Sequence, residues 1–171
     1  MQATKDKIAA GLERAFAAGG FAEPSVDDLR QAAGVSLRTL YKYTPSRDEM
    51  TYLALEHRHQ RYLAFVFGDV ATPLSQSIIV TLDRISDWMR AEASHGCLFH
   101  AAVASSPNDK TLRTLLKRHK TEVAHLSARR ADMLQWEDEI LLLIEGLTQG
   151  WPLVGETASI AAKRMTALLQ N

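Results

Sequence analysis

Residues 25–50 read Ser25-Val26-Asp27-Asp28-Leu29-Arg30-Gln31-Ala32-Ala33-Gly34-Val35-Ser36-Leu37-Arg38-Thr39-Leu40-Tyr41-Lys42-Tyr43-Thr44-Pro45-Ser46-Arg47-Asp48-Glu49-Met50. Ser25 can cap a short helix that turns Val26, Leu29 and Ala33 inward. Gly34 interrupts it and can adopt a positive φ at no steric cost, so the chain can swing through a tight turn. Ser36 caps a second short helix through Leu37, Leu40, Tyr41 and Tyr43, which Pro45 ends. Ala33 is small where two helices would cross closely, and Leu29, Val35 and Leu40 can form the small core that sets the angle between them. Two short helices on a glycine turn are the pattern of a helix-turn-helix. With those residues inside, Leu37, Arg38, Thr39 and Lys42 face out.

Charge supports a polyanionic partner for that outer face. Ser36 to Arg47 carries Arg38, Lys42 and Arg47 and no acid, a local +3, whereas residues 1–62 hold nine basic and eight acidic side chains, a net of +1. Positive charge is therefore focused on the second short helix and the turn behind it. Tyr41 and Tyr43 add hydroxyl donors of a length suited to phosphate oxygens.

Outward from this stretch, the chain reads as helix after helix. Ile8, Leu12, Ala15 and Phe16 share one face of a first helix, which Gly19-Gly20 stops, and Phe21 tucks back as an apolar plug. Ser46 and Glu49 form a capping box that opens a long helix from Arg47 towards Phe67. Pro73 starts a helix bearing Leu74, Ile78, Leu82, Ile85 and Met89. A short helix spans Cys97 to Ala104. Leu112, Leu115, Leu116, His119, Val123, Leu126 and Met133 recur at helical spacing. Ile140, Leu141, Ile144, Leu147 and Trp151 mark another helix, ended by Pro152 and Gly155. Ile160, Ala161, Met165 and Leu168 mark the last. The expectation is an all-α protein of about nine helices.

Composition is that of a globular chain: 171 residues, 46% hydrophobic and 23% charged, with 20 basic and 20 acidic side chains. No apolar run approaches the length of a membrane span, and no apolar segment follows a basic N-terminus. A lone Cys97 allows no internal disulfide and suits a reducing, cytoplasmic setting.

Phe21-Ala22-Glu23-Pro24-Ser25-Val26, Ala33-Gly34-Val35-Ser36, Thr39-Leu40-Tyr41-Lys42-Tyr43 and Ser46-Arg47 resemble the DNA-binding domain of TetR-family transcriptional regulators. Gly96-Cys97-Leu98-Phe99 resembles a segment common in their regulatory domains. The resemblance implies a homodimer with a DNA-reading unit at 1–45, a connecting helix at 46–68, and a ligand-binding and dimerisation bundle at 69–171. Its partners would be double-stranded operator DNA and a small-molecule inducer, with no cofactor and no membrane. Carried over by position, Ser25, Tyr41, Tyr43 and Arg47 hold the phosphate backbone. Leu37, Arg38, Thr39 and Lys42 face the major groove, with Ser36 at the head of their helix. Thr44 stands where the family has Phe, and Arg47 where it has Lys. Arg38 stands where a smaller residue is common, which marks it as a guanine reader, because a guanidinium can bond both O6 and N7.

In the C-terminal part, Trp88, Met89, Phe99 and Met133 would line an apolar cavity with His100 and His119 as polar anchors. Leu143, Leu147, Trp151, Ala161, Met165 and Leu168 would pair with their copies in a four-helix bundle. Two other readings are carried. A metal-sensing regulator would use His95, Cys97 and His100, whose spacing fits no strong zinc pattern. A helical interaction protein would keep the fold without binding DNA. His57 and His59, two apart on a helix, point to different faces and cannot chelate together. Lys110, Arg113, Lys117, Arg118 and Lys120 read as a solvated helix face. No nucleophile elbow or phosphate-cradling glycine loop is present, so an enzyme is not expected.

Overall fold

A computed structural model describes residues 2–68 and 78–169. Among these residues there are nine α-helices and no strand: α1 Gln2–Gly19, α2 Val26–Ala33, α3 Leu37–Tyr43, α4 Arg47–Phe67, α5 Ile78–Glu92, α6 Leu98–Ser105, α7 Lys110–Arg130, α8 Glu137–Val154 and α9 Glu156–Leu169. A single 3₁₀ turn, Leu134–Trp136, precedes α8. The expected helix start at Pro73 and Leu74 lies outside the described residues. The chain divides into two units, Met1–Arg61 with Leu98–Leu116, and Tyr62–Cys97 with Lys117–Asn171.

The first unit is built on α1. Ile8, Leu12 and Phe16 turn inward at i, i+4 and i+8 and meet Leu29, Ala33, Leu40, Met50 and Ala54 in one core. Burying each of the larger side chains among these stabilises the unit by about 1.5–3 kcal/mol, a value that sets the scale for every other contact here. Helix α1 ends on Gly20, whose φ of 69° is the left-handed cap expected of glycine. Phe21 folds back so that its ring stacks on Phe16 at 4.8 Å between centroids.

The α1–α2 crossing depends on a residue that the sequence reading passed over. A Cβ at Gly11 would stand 2.4 Å from Ala32 O and from Ala33 Cα, so only glycine fits there. Ala33 supplies the small side on α2, as expected, and Gly11 supplies the other. Two cations of α1 then close the C-terminal end of α2, where unpaired carbonyls collect negative charge. Lys7 Nζ donates to Gly34 O at 2.8 Å and Arg14 Nη2 to Ala32 O at 3.2 Å.

The second unit packs α5, α8 and α9 around Ile78, Leu82, Ile85, Trp88, Met89, Ile140, Ile144 and Leu147, with Tyr62 and Val66 of α4 and Val123 of α7. Tyr62 meets Trp88 and His119 edge-on, at 5.1 and 5.0 Å. Ser86 Oγ donates to Ser159 Oγ at 2.7 Å, which satisfies two buried hydroxyls where α5 meets α9.

Three sequence expectations are corrected in this unit. Met133 is not on α7: the helix stops at Arg130, and Asp132 takes a φ of 55°. Aspartate tolerates the left-handed region better than most residues, so no Gly or Pro was needed to break the chain. Pro152 does not end α8, which runs on to Val154 and closes at Gly155. In its last turn a proline removes one bond and keeps a helical φ. Finally, α9 buries Ala158, Ser159, Ala162 and Thr166, while Ile160 and Met165 point outward. The small residues lie inside because they let α9 lie close to its neighbours.

Gly11→Ala is expected to destabilise the protein by about 2 kcal/mol or more, because the methyl group meets backbone that cannot step aside. Gly146→Ala, in an open position on α8, should instead be neutral or stabilising by under about 1 kcal/mol in a monomeric state. Urea denaturation of both variants checks the contrast.

Candidate nucleic-acid interface

Helices α2 and α3 are each fixed at both ends by local chemistry. The Ser25 hydroxyl accepts from the Asp28 N–H at 3.2 Å, and the Asp28 carboxylate accepts from the Ser25 N–H at 2.8 Å and from its hydroxyl at 2.6 Å. This reciprocal box stands at Ser25–Asp28. At Ser46, the hydroxyl accepts from the Glu49 N–H at 3.2 Å. The Ser25 hydroxyl and backbone N–H hold the Asp28 carboxyl below its ordinary value of 3.8. A carboxylate depressed in this way adds stability above its unfolded pKa, and that stability is lost as pH falls through the lowered folded value. Helix α2 stops at Gly34 with φ 62° and ψ 41°, the left-handed turn on which the motif depends.

Helix α3 starts at Ser36, whose Oγ accepts from the Thr39 N–H at 3.1 Å and bonds the Thr39 hydroxyl at 2.8 Å. Leu40 is fully buried against α1 and α2 and serves as the pivot of the helix. One inward anchor on a seven-residue helix leaves the other faces free. Arg38 and Lys42 are exposed, with Leu37 and Tyr41 beside them at 46% and 42% exposure. Arg38 makes no hydrogen bond or ion pair among the described residues, and Lys42 is engaged only through its ammonium over the Tyr43 ring, 5.9 Å from the centroid. One cation with no partner among the described residues, one held only over a tyrosine ring, and two large side chains thus face water on α3.

Four of the expected contact residues have structural partners. Ser25 and Ser36 are exposed but committed as helix caps, and Thr39 is tied to Ser36. Arg47 is half-buried; its Nη2 donates to Phe21 O at 2.8 Å, and its guanidinium lies over the Phe16 ring at 5.8 Å. It ties the start of α4 to the end of α1. Thr44, standing where the resembled family has Phe, is buried at 1% exposure, with its N–H and its hydroxyl both donating to Leu40 O at 2.9 Å. A small polar side chain thus closes α3, and beside it opens a cleft of about 460 Å³ lined by Lys5, Tyr43, Glu49, Tyr52, Leu53 and Glu56.

The residues expected to hold a ligand fall in both units. Trp88, Met89 and Met133 share the core of the second unit, and His119 is buried against Tyr62 there. Phe99 (buried) and His100 (half-buried) are on α6, in the first unit. Cys97 belongs to the second unit, where Lys120 is its neighbour. Burial pulls the Lys120 pKa down, but Cys97 and Glu145 together push it up further, so the net direction is upward. Lys120 Nζ pairs with Glu145 at 2.5 Å. Among the described residues, no three His, Cys, Asp or Glu side chains are grouped so as to hold a metal ion.

The residues expected at a dimer interface also separate. Leu143, Leu147 and Trp151 are buried in their own unit's core, at 7%, 1% and 7% exposure, and cannot meet a partner. Helix α8 is apolar on nearly every side from Ile140 to Ile144, so periodicity alone could not say which face turns inward. Ala161, Met165 and Leu168 are exposed on α9. The outward large apolar residues of α8 are Leu142 at 70%, Leu153 at 84% and Val154 at 53%.

No protein-family profile and no curated protein sequence matches the chain. Solved structures do. A TetR-family transcriptional regulator from Streptomyces coelicolor superposes with a TM-score of 0.72 at 21% identity, covering 96% of this chain and 92% of its own. Chains named as TetR-type regulators from Streptomyces avermitilis and a Rhodococcus species give 0.74 and 0.76, at 18% and 20% identity, covering 98% of this chain and 96% and 99% of their own. The protein therefore has the all-α fold of TetR-type regulators over essentially its whole length.

Arg47→Ala is expected to lower stability by about 1–2 kcal/mol, since it removes a half-buried charged hydrogen bond. Arg38→Ala should change stability by less than about 0.5 kcal/mol, as for a surface side chain without partners. Thermal denaturation of the two variants side by side checks this.

Proposed function

We propose that the protein is a homodimeric transcriptional regulator that reads double-stranded DNA through α3. What carries this reading is the outer face of α3: Arg38 and Lys42 stand exposed, Leu37 and Tyr41 flank them, and caps at Ser36 and Thr44 fix the helix. A major groove admits a helix of this size, and an Arg that projects from its first turn can reach a guanine edge. Lys42, Tyr41 and Tyr43 supply phosphate contacts, whereas Arg47 acts by holding α4 to α1. The division proposed is a reader at 1–45, a connector at 46–68, and a ligand-binding and dimerisation part at 69–171.

One recognition helix grips few phosphates, so a dimer is needed to make the second half-site contact intramolecular. The surface proposed for it combines Leu142, Gly146 and Leu153 of α8 with Ala161, Met165 and Leu168 of α9, helices that pack on one another. Exposed apolar side chains on two helices that pack together suit an interaction face. Gly146, with open space at its Cβ, would let two such helices approach closely. The regulator would be a cytoplasmic repressor, released when a small, mostly apolar molecule binds among the aromatic and methionine side chains of the C-terminal part. By linkage, DNA then weakens the ligand by the factor by which the ligand weakens DNA. No described helix is long and apolar enough to cross a membrane.

The test is fluorescence anisotropy with duplexes selected from a random pool. Affinity should fall steeply with salt, and Arg38→Ala should relax preference at one base pair by about 1–3 kcal/mol while leaving the salt slope nearly unchanged. An equal loss on selected and random DNA would remove Arg38 from base reading. Leu142→Glu with Leu153→Glu should turn a dimer into a folded monomer by analytical ultracentrifugation, with operator affinity lower by about 100-fold or more.

A further inference from the structure

Helix α1 carries a carboxylate on its inward side. Glu13, one residue after the core leucine Leu12, is 2% exposed. Its Oε2 meets His57 Nδ1 at 2.5 Å, and its Oε1 accepts from Arg58 Nη1 at 3.0 Å and Arg61 Nη1 at 2.6 Å. Arg58 is itself buried at 3% exposure. All three partners project from one turn of α4, and all four residues lie within the first unit.

A buried ion pair is a poor way to add stability, because desolvating both charges costs about as much as their attraction returns. Apolar side chains of the same size would hold α1 to α4 as firmly. They would not hold it at one angle, because apolar contact has no direction. Three donors converging on two carboxylate oxygens do have direction: a slide or roll of α4 by a fraction of a turn would break them together. On its other side, α1 is fixed to α2 by the close crossing at Gly11 and by Lys7 on Gly34 O. Besides the short connection 44–46 and the core that Leu40 shares with Met50 and Ala54, a path of directional contacts joins α4 to α3: α4 to Glu13, α1 to the Gly34 turn, and the turn to the recognition helix. Helix α4 also continues without a break past Arg61 to Phe67, in the second unit.

We infer that Glu13 is a positioning residue, which sets the angle of the recognition helix to α4 and so sets which half-site spacing the dimer accepts. This rests on the DNA-reading function proposed above and goes beyond it. Neither Glu13 nor its three partners touch DNA in that reading; they act through α3.

The experiment uses the full-length protein and a palindromic duplex selected from a random pool. The centre-to-centre half-site distance is then changed by one and two base pairs in each direction, and a single half-site duplex serves as reference. Wild type should lose about tenfold or more in affinity at two base pairs off register, a difference of about 1.4 kcal/mol. Glu13→Gln removes the charge and keeps the shape. A second variant, Glu13→Leu with Arg58→Met, removes the buried pair and keeps apolar packing, so it should remain folded by circular dichroism even if the first does not. In either folded variant the off-register loss should shrink to less than about threefold, with single half-site affinity within about twofold of wild type. If both variants keep the wild-type spacing dependence, or lose half-site affinity as much as full-site affinity, the role of Glu13 is wrong and the DNA-reading function stands. If wild type binds no duplex, both fall together.

Discussion

The closeness of α1 to α2 is the constraint on which the N-terminal unit depends. At Gly11 the two backbones leave no room for a single carbon atom. That contact places Leu12 and Phe16 against Leu29 and Ala33, brings Lys7 within reach of the Gly34 carbonyl, and thereby holds the left-handed turn at one end. Helix α3 follows from it. Its single buried anchor, Leu40, could not orient seven residues alone; the turn before it and the Thr44 closure after it do so, and its outer face is then free for Leu37, Arg38, Tyr41 and Lys42. A display of exposed cations is useful only when something rigid aims it, and here the rigidity comes from close backbone approach and helix caps rather than from a large core.

The second unit is organised differently. Its core is broad and apolar, with polar pairs set into it: Ser86 with Ser159, and Lys120 with Glu145. Apolar contacts carry no direction of their own, whereas the directional contacts of the first unit suit a part that must keep one geometry. Glu13 lies on the directional side of this contrast, where α4 meets α1.

Much of the fold was legible from residue pattern. The caps at Ser25 and Ser36, the turn at Gly34, the plug at Phe21 and the inward positions of Ile8, Leu12, Leu29 and Leu40 all follow from local chemistry or helical period, and the structure has them. The exposure of Arg38 and Lys42 followed from the same period. Less legible were sites where two elements meet. Gly11 and Glu13 carry no local signal of the contacts they make. Asp132 broke the chain between α7 and α8 without a glycine. On α8, five consecutive apolar residues from Ile140 to Ile144 gave no phase, so Leu143 and Leu147 were expected at a subunit interface although they fill the core.

By itself, the sequence determined which segments are helical, where α2, α3 and α4 begin, and which side of each short helix is polar, because capping, glycine turns and i, i+4 spacing act within a few residues. Tertiary structure alone decided which apolar face of α8 and α9 turns inward, that Arg47 is used by Phe16 and Phe21, and that a carboxylate of α1 is surrounded by three side chains of α4. The last two depend on residues 26 to 48 positions apart meeting in space, and the seating of α9 on α5 on residues 73 apart. The free energy of such a meeting is shared between partners, so neither residue carries a local mark of it.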